Sequence, residues 1–178
     1  MSNSITSKGF QPLSLSIVRK AAIALTAAGA LFAAVGQAGA QSPQPVSSDP
    51  AVVIKERETT MKSMGDAMKK ISAYVKNEGG TIDGVREGAA TIQQASHKIV
   101  PGLFPADTGM AFDKDSAAKP EIWKQWGEFQ QAAQKLESTS AELVTVARAD
   151  DRPAIAKQFG QVGQSCGGCH DNFRQKKQ

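Results

Sequence analysis

The sequence of 178 residues contains only two cysteines and two histidines. These counts exclude a multi-cysteine zinc scaffold and a disulfide-rich miniprotein. The sequence has no alternating β-branched run and no Asn-Gly hairpin signal, so it gives no indication of strands. Acidic residues are absent from residues 1–40, which contain three of the 21 basic residues. Removal of residues 1–40 would therefore reduce the formal net charge of +4 to +1.

Residues 1–40 have the order of a secretory signal peptide. Arg19 and Lys20 stand directly before the uncharged apolar run 21–35, and residues 38–40 are the small-x-small sequence Ala-Gly-Ala. An uncleaved membrane anchor is the alternative, but this run is shorter than the roughly 20 residues that a bilayer span needs. We therefore predict a cleaved signal peptide, export to the periplasm, and no membrane span in the mature protein.

After a polar Pro/Ser linker at residues 41–48, residues 49–178 form one predicted domain. Apolar residues recur there at spacings of three and four in four separate runs, and each run is typical of one helical face. The four runs extend from Ile54 to Val75, from Ile82 to Ile99, from Ile122 to Leu143 and from Ile155 to Phe173. Short connections suit antiparallel neighbours, so we predict an all-α protein, an up-down antiparallel four-helix bundle.

Residues 100–119 interrupt this helical pattern. They have no helical period and contain two prolines and two glycines, so we predict a long connection between the second and third helices. Such a loop is uncommon inside a compact domain and often lines a functional site.

The fourth predicted helix contains the motif C-x-x-C-H at residues 166–170. Cysteines three apart lie on one helical face, so Cys166 and Cys169 can both add to the vinyl groups of one porphyrin. His170 can then offer its imidazole to the iron as an axial ligand. The motif therefore predicts one covalently attached haem c per chain.

Three other uses of the cysteines are open. A thiol-disulfide oxidoreductase also uses C-x-x-C, but places it at a helix N-terminus after a strand, whereas this pair lies near the end of the last helix. A zinc site would need a fourth ligand, and His97 is the other histidine. A structural disulfide in a haem-free exported helical protein is the third. Export to an oxidising compartment, where haem c is assembled, favours haem.

The chain resembles the cytochrome c′ family, the class II c-type cytochromes, in the position of this motif. C-x-x-C-H stands on the last helix of a four-helix protein, and the segments KPEIW at 119–123 and CHDNFR at 169–174 are similar to motifs of that family. The resemblance covers residues 49–177. It argues against the class I fold, in which the haem motif stands near the N-terminus.

The resemblance implies two options for the sixth iron position. High-spin members place a non-coordinating apolar side chain there, whereas low-spin members use a methionine four residues after an arginine or its equivalent in the first helix. From Arg57 this offset reaches Met61, and a neutral thioether suits haem iron. Spacing alone leaves Met64 and Met68 open, because methionines at helical spacing often only fill a core. The resemblance selects Met61, and Met110 in the loop is a remoter candidate.

Two arginines are further candidates for the haem site. By resemblance Arg57 reaches a haem propionate; otherwise it extends to solvent. By resemblance Arg174 lies near the proximal imidazole of His170; otherwise it belongs to a cationic helix end. Four aromatic residues are expected to pack on the porphyrin or simply to fill the core: Trp126, Phe129, Phe159 and Phe173. We expect His97 at the surface or in a loop.

These features together predict a periplasmic monohaem cytochrome that carries single electrons between redox partner proteins, with His170 and Met61 as axial ligands. Both axial positions would then be filled, so no substrate would bind the iron and the protein would not be an enzyme. The alternative is a high-spin cytochrome c′ that binds nitric oxide or carbon monoxide at an open or displaceable sixth position. A homodimer through the first helix is common in the family, but the sequence pattern does not decide it.

Overall fold

The structure, a computed structural model, describes residues 47–114 and 116–176. Within them the chain forms five α-helices and one π-helical turn. In chain order these are α1 (Pro50–Val75), α2 (Ile82–Ser96), the π-helical turn (Ile99–Leu103), α3 (Glu121–Lys124), α4 (Trp126–Ala149) and α5 (Arg152–Phe173). The predicted signal peptide, residues 1–40, and residues 41–46 of the predicted linker lie outside the described residues.

The four long helices form a bundle. Helix α1 packs chiefly against α2, α2 against α4, and α4 against α5, so neighbours in sequence are neighbours in space. The predicted all-α four-helix bundle is confirmed. Several residues of the predicted stripes are fully buried, including Ile71, Ile92, Phe129, Leu143 and Ile155. None of the helices in the described part of the chain is both long and apolar enough for a membrane crossing.

Three of the four bundle helices begin at a capping side chain. Each capping oxygen accepts a hydrogen bond from a first-turn backbone N–H that has no partner within the helix. The caps are Asp49 for α1, Thr81 for α2 and Asp151 for α5.

Only two residues join α4 to α5. Asp150 ends α4 in the left-handed region, with φ of 54°, and Asp151 directly caps α5. Aspartate enters this region more readily than most residues because its short polar side chain can form local hydrogen bonds. This two-residue corner therefore fixes where α5 starts.

The third predicted helix is interrupted at Gln125, whose φ of −120° and ψ of 45° separate α3 from α4. In a continuous helix Trp123 and Trp126 would share one face. The interruption instead allows the Trp123 Nε1–H to donate to the carbonyl oxygens of Phe104 and Pro105, each at 3.2 Å. Trp126 meanwhile packs against the core.

The second predicted helix also ends earlier than its stripe. Regular α-helix stops at Ser96, and the chain continues through the π-helical turn Ile99–Leu103. Pro101 lies in this turn, and its missing N–H prevents a regular helical ladder. Residues 104–114 and 116–120, which lie between this turn and α3, are called the connecting loop below.

Candidate haem-binding site

The predicted haem-attachment residues lie on the last turns of α5. Cys166 and Cys169 are half-buried, carry free thiols and pack against the core. Val162 and Phe173, which precede and follow them on the same stripe, are buried. Two reduced thiols on one helical face, followed directly by His170, are the donor set that covalent haem requires. The residues present therefore fit this cofactor.

Burial raises the pKa of both thiols. The pKa of Cys169 rises to about 11, because of burial first and the neighbouring Cys166 second. Burial also raises the pKa of Cys166, while a backbone hydrogen bond acts in the opposite direction. Both thiols are therefore protonated near neutral pH. A disulfide oxidoreductase requires the opposite, a thiol with a lowered pKa, so this environment does not suit that alternative.

His170 lies next to these cysteines and is half-buried. Burial lowers the pKa of its imidazole, and the positive charge of Arg174 lowers it further, while Asp171 acts in the opposite direction. These effects favour the neutral imidazole, which is the form that binds a metal. The Arg174 backbone N–H donates to the His170 carbonyl oxygen at 3.0 Å, and its side chain is exposed. A contact between Arg174 and haem stays a prediction.

The methionines of α1 differ in burial and in position along the bundle axis. Met64 is 6% exposed and belongs to the core, whereas Met61 and Met68 are half-buried and pack against it. A Cβ on Gly163 would lie 3.9 Å from the Met68 Cε, so Met68 is level with this part of α5. Helices α1 and α5 run in opposite directions, so Met61, seven residues before Met68, lies near the level of His170, seven residues after Gly163. This level suits a side chain that bonds to the iron and equally one that only fills the space beside it.

The Arg57 side chain is only 6% exposed, so it does not extend to solvent. Its Nη1 donates to the Leu103 carbonyl oxygen at 3.1 Å and to the Thr108 hydroxyl at 3.2 Å. Its Nη2 donates to the Thr108 carbonyl oxygen at 2.7 Å and to the Ser116 hydroxyl at 2.9 Å. Desolvation lowers the pKa of this guanidinium. The predicted contact with a haem propionate stays a prediction, and the Nε atom makes none of these four bonds.

An aromatic cluster stands beside Arg57 and the end of α5. The Phe129 ring centroid lies 4.8 Å from that of Phe104 and 5.4 Å from those of Trp126 and Phe173. Three of these residues were expected at the site, whereas Phe159 is half-buried and takes part in none of these ring contacts. Sequence reasoning missed Phe104, since it lies in a segment without a helical period; the length of the connection was its only signal.

His97 caps the C-terminus of α2 and is exposed, with its Nδ1 3.9 Å from a carboxylate oxygen of Glu137. It lies at the surface, as expected. Within residues 47–114 and 116–176, no group of three or more His, Cys, Asp or Glu side chains could hold a metal ion. The structure therefore offers nothing in support of the zinc alternative.

A family model described as Cytochrome C′ matches residues 52–174. The chain belongs to the cytochrome c′ family. A cytochrome c′ from Rhodopseudomonas palustris is 35% identical over 126 residues, which cover 70% of this chain and 83% of that protein. A cytochrome c-556 from Agrobacterium tumefaciens is 33% identical over 124 residues, which cover 70% of this chain and 98% of that protein. A solved nitric oxide complex of a mutant cytochrome c prime from Alcaligenes xylosoxidans matches with a TM-score of 0.60 and 25% identity, covering 74% of this chain and 99% of that chain.

The cytochrome c′ family carries one covalent haem c per chain, which confirms the predicted cofactor. The predicted electron carrier with His/Met ligation is wrong, because the matching family and relative are cytochromes c′ and favour the high-spin alternative. The error lay in the choice of the low-spin branch of the family. The resemblance selected Met61 as the sixth ligand, but a methionine at helical spacing can also fill space without a bond to a metal.

Proposed function

We propose that the chain is a high-spin haem c protein that binds a diatomic gas, nitric oxide or carbon monoxide, on the side of the haem that faces α1. The observation that carries this proposal is membership in the cytochrome c′ family, together with the nitric oxide complex formed by a matching family protein. When bound, the haem supplies an iron whose sixth position is open to such a ligand.

Residues of α5 and α1 form the two faces of this site. On α5, the thiols of Cys166 and Cys169 would hold the porphyrin covalently, and the neutral imidazole of His170 would bind its iron. On α1, Met61 presents a neutral thioether at the level of His170. A distal side without a strong hydrogen-bond donor favours a small apolar gas over water or an anion.

The absorption spectrum of the holoprotein tests this proposal. We expect high-spin bands in the ferric protein, no methionine-to-iron charge-transfer band, and a clear spectral change when the ferrous protein is exposed to carbon monoxide. A low-spin ferric spectrum with that charge-transfer band, together with a ferrous spectrum unchanged by carbon monoxide, would overturn the proposal.

The variant Met61→Ala sharpens this test. It should leave the high-spin spectrum in place and speed carbon monoxide association, because it removes bulk from the distal side without removing an iron ligand. Met64→Ala is the matched control, one turn away and buried in the core. It should lower stability without a comparable change in association rate.

We infer that the protein is not an enzyme, since proteins of this family are haem proteins that are not classed as enzymes. Carbon monoxide binds the ferrous state, so an electron donor is needed, and we infer that a redox partner protein supplies it. We also propose the homodimer through α1 that the resemblance suggests; sedimentation equilibrium of the holoprotein would test it.

Export to the periplasm is part of the same proposal. It rests on the charge and apolar pattern of residues 1–40, which precede the family match at residues 52–174. N-terminal sequencing of the protein from a periplasmic extract should begin at Gln41. A protein in that extract that still carries Met1 would overturn the predicted cleavage.

A further inference from the structure

Arg57 is a charged side chain buried at the end of the bundle that carries the haem motif. Its four hydrogen-bond acceptors are all neutral, two carbonyl oxygens and two hydroxyls, and three of the four lie in the connecting loop. Its guanidinium carbon also stands 4.7 Å from the centre of the Phe104 ring. The desolvation of this charge is therefore offset by neutral groups, most of which belong to one loop.

An arginine suits this arrangement better than a lysine. Its planar guanidinium directs several N–H groups at fixed angles, so it can hold Thr108 and Ser116 at once while it keeps its charge. A lysine ammonium has a different geometry and only three donors. The loop is thus bound at Thr108 and Ser116 to a defined position on α1, one helical turn before Met61.

The far end of the same loop is bound to α5. The Lys119 N–H donates to the Phe173 carbonyl oxygen at 3.0 Å, and the Gln175 N–H donates to the Ala117 carbonyl oxygen at 2.8 Å. The Lys119 ammonium also donates to the carbonyl oxygens of Asp171 and Asn172. These bonds lie within five residues of His170.

The connecting loop therefore joins the two helices that carry the two faces of the haem site. Those helices pack chiefly on other partners, α1 on α2 and α5 on α4. The loop spans between them, with Arg57 as its hydrogen-bonded anchor on α1. Release of this anchor would leave the spacing of the two faces to weaker contacts.

We propose that Arg57 is a positioning residue that, through the connecting loop, sets the spacing between α1 and α5 and thereby the access of a gas to the iron. This inference rests on the proposed function for its gas-access part. In this role Arg57 acts on the connecting loop of its own chain, whether or not it also contacts a haem propionate.

The test compares three variants of the holoprotein. Arg57→Gln removes the anchor, and Ser116→Ala removes one acceptor while the charge stays in place. Arg86→Gln is the matched control, because Arg86 also reaches from one helix to a distant carbonyl oxygen, that of Ala147 at 3.3 Å, away from the loop. Two quantities are measured: hydrogen exchange of the loop amides, and the rate constant of carbon monoxide association after flash photolysis.

We expect Arg57→Gln to raise loop exchange about tenfold, as lost hydrogen bonds predict, and to raise the association rate constant. Ser116→Ala should change both quantities in the same direction by less. Arg86→Gln should lower thermal stability and change neither.

Two results would overturn the inference while the proposed function stands. One is wild-type loop exchange in Arg57→Gln, and the other is raised loop exchange with an unchanged association rate. A wild-type protein that binds no carbon monoxide overturns the proposed function instead, and the gas-access role with it. If Arg57→Gln fails to fold, Ser116→Ala decides, and wild-type values of both quantities in that variant reject the inference.

Discussion

The two ends of the bundle are closed in different ways. At the corner end, which contains the α4–α5 turn and the end of α1, the Tyr74 hydroxyl donates to Asp150 at 3.0 Å. The Arg152 guanidinium lies 3.9 Å from the centre of the Tyr74 ring and donates to the Tyr74 carbonyl oxygen. One aromatic residue of α1 therefore binds both an anionic and a cationic side chain at the α4–α5 turn.

At the motif end, which contains the end of α5, the start of α1 and the connecting loop, the buried cation has no charged partner among its hydrogen-bond acceptors. Arg57 finds its partners 46 to 59 residues away, and they are neutral. Cys166, Cys169 and His170 are half-buried there, and both cysteines carry free thiols. At the corner end the named side chains bind one another, whereas the motif end presents two thiols and an imidazole that suit a haem cofactor.

Removal of both thiols should have the largest effect on this contrast. We expect Cys166→Ala with Cys169→Ala to abolish covalent haem, because the two thioether bonds have no substitute in a sequence with two cysteines. A haem stain of the denatured protein measures this. Ser165→Ala is the control on the same helix and should keep the haem. Covalent haem in the double variant would show that the motif end is not the attachment site.

Replacement of the buried guanidinium should come next in size. We expect Arg57→Met to lower the free energy of unfolding by about 3 kcal/mol, because buried carbonyl and hydroxyl groups lose their partner. Urea denaturation of the holoprotein measures this loss. Lys55→Met, on the exposed side of the same helix, should change the free energy by no more than about 0.5 kcal/mol. Equal losses in the two variants would show that the buried contacts of Arg57 add nothing to the stability of the motif end.

At the corner end, Tyr74→Phe should have a smaller effect than Arg57→Met. It removes one hydroxyl hydrogen bond to Asp150 and keeps the ring beneath Arg152. The urea midpoint should therefore fall only slightly, and gas binding should be unchanged. An altered carbon monoxide association rate in this variant would show that the two ends are coupled.

The smallest expected effect is a pH dependence at the corner end. Desolvation first, and then the hydrogen bond to Asp150, raise the pKa of Tyr74 above its ordinary value. A raised pKa stabilises the protonated folded form, so this contribution is complete below about pH 10 and is lost as the pH rises through the folded pKa. The difference in urea midpoint between wild type and Tyr74→Phe should therefore shrink from pH 8 to pH 11. A constant difference would contradict the raised pKa.

The sequence was sufficient where signals were local. The four long helices follow from runs of apolar residues at spacings of three and four, and the attachment residues follow from a five-residue motif. The interruption at Gln125 was not predictable, because the Trp123 indole is held by carbonyl groups of another segment. The bonds of Arg57 were missed for the same reason: their partners are distant in sequence and lie in a loop without periodicity.

The two-residue corner at Asp150 and Asp151 also controls the rotation of α5 about its own axis. Both residues are committed, one to the left-handed end of α4 and the other to the cap of α5. A residue inserted between Asp151 and Cys166 would turn the motif by about 100° around the helix axis. Both thiols would then leave the inner face together, so the length of this segment is as strict a requirement for haem attachment as the cysteines themselves.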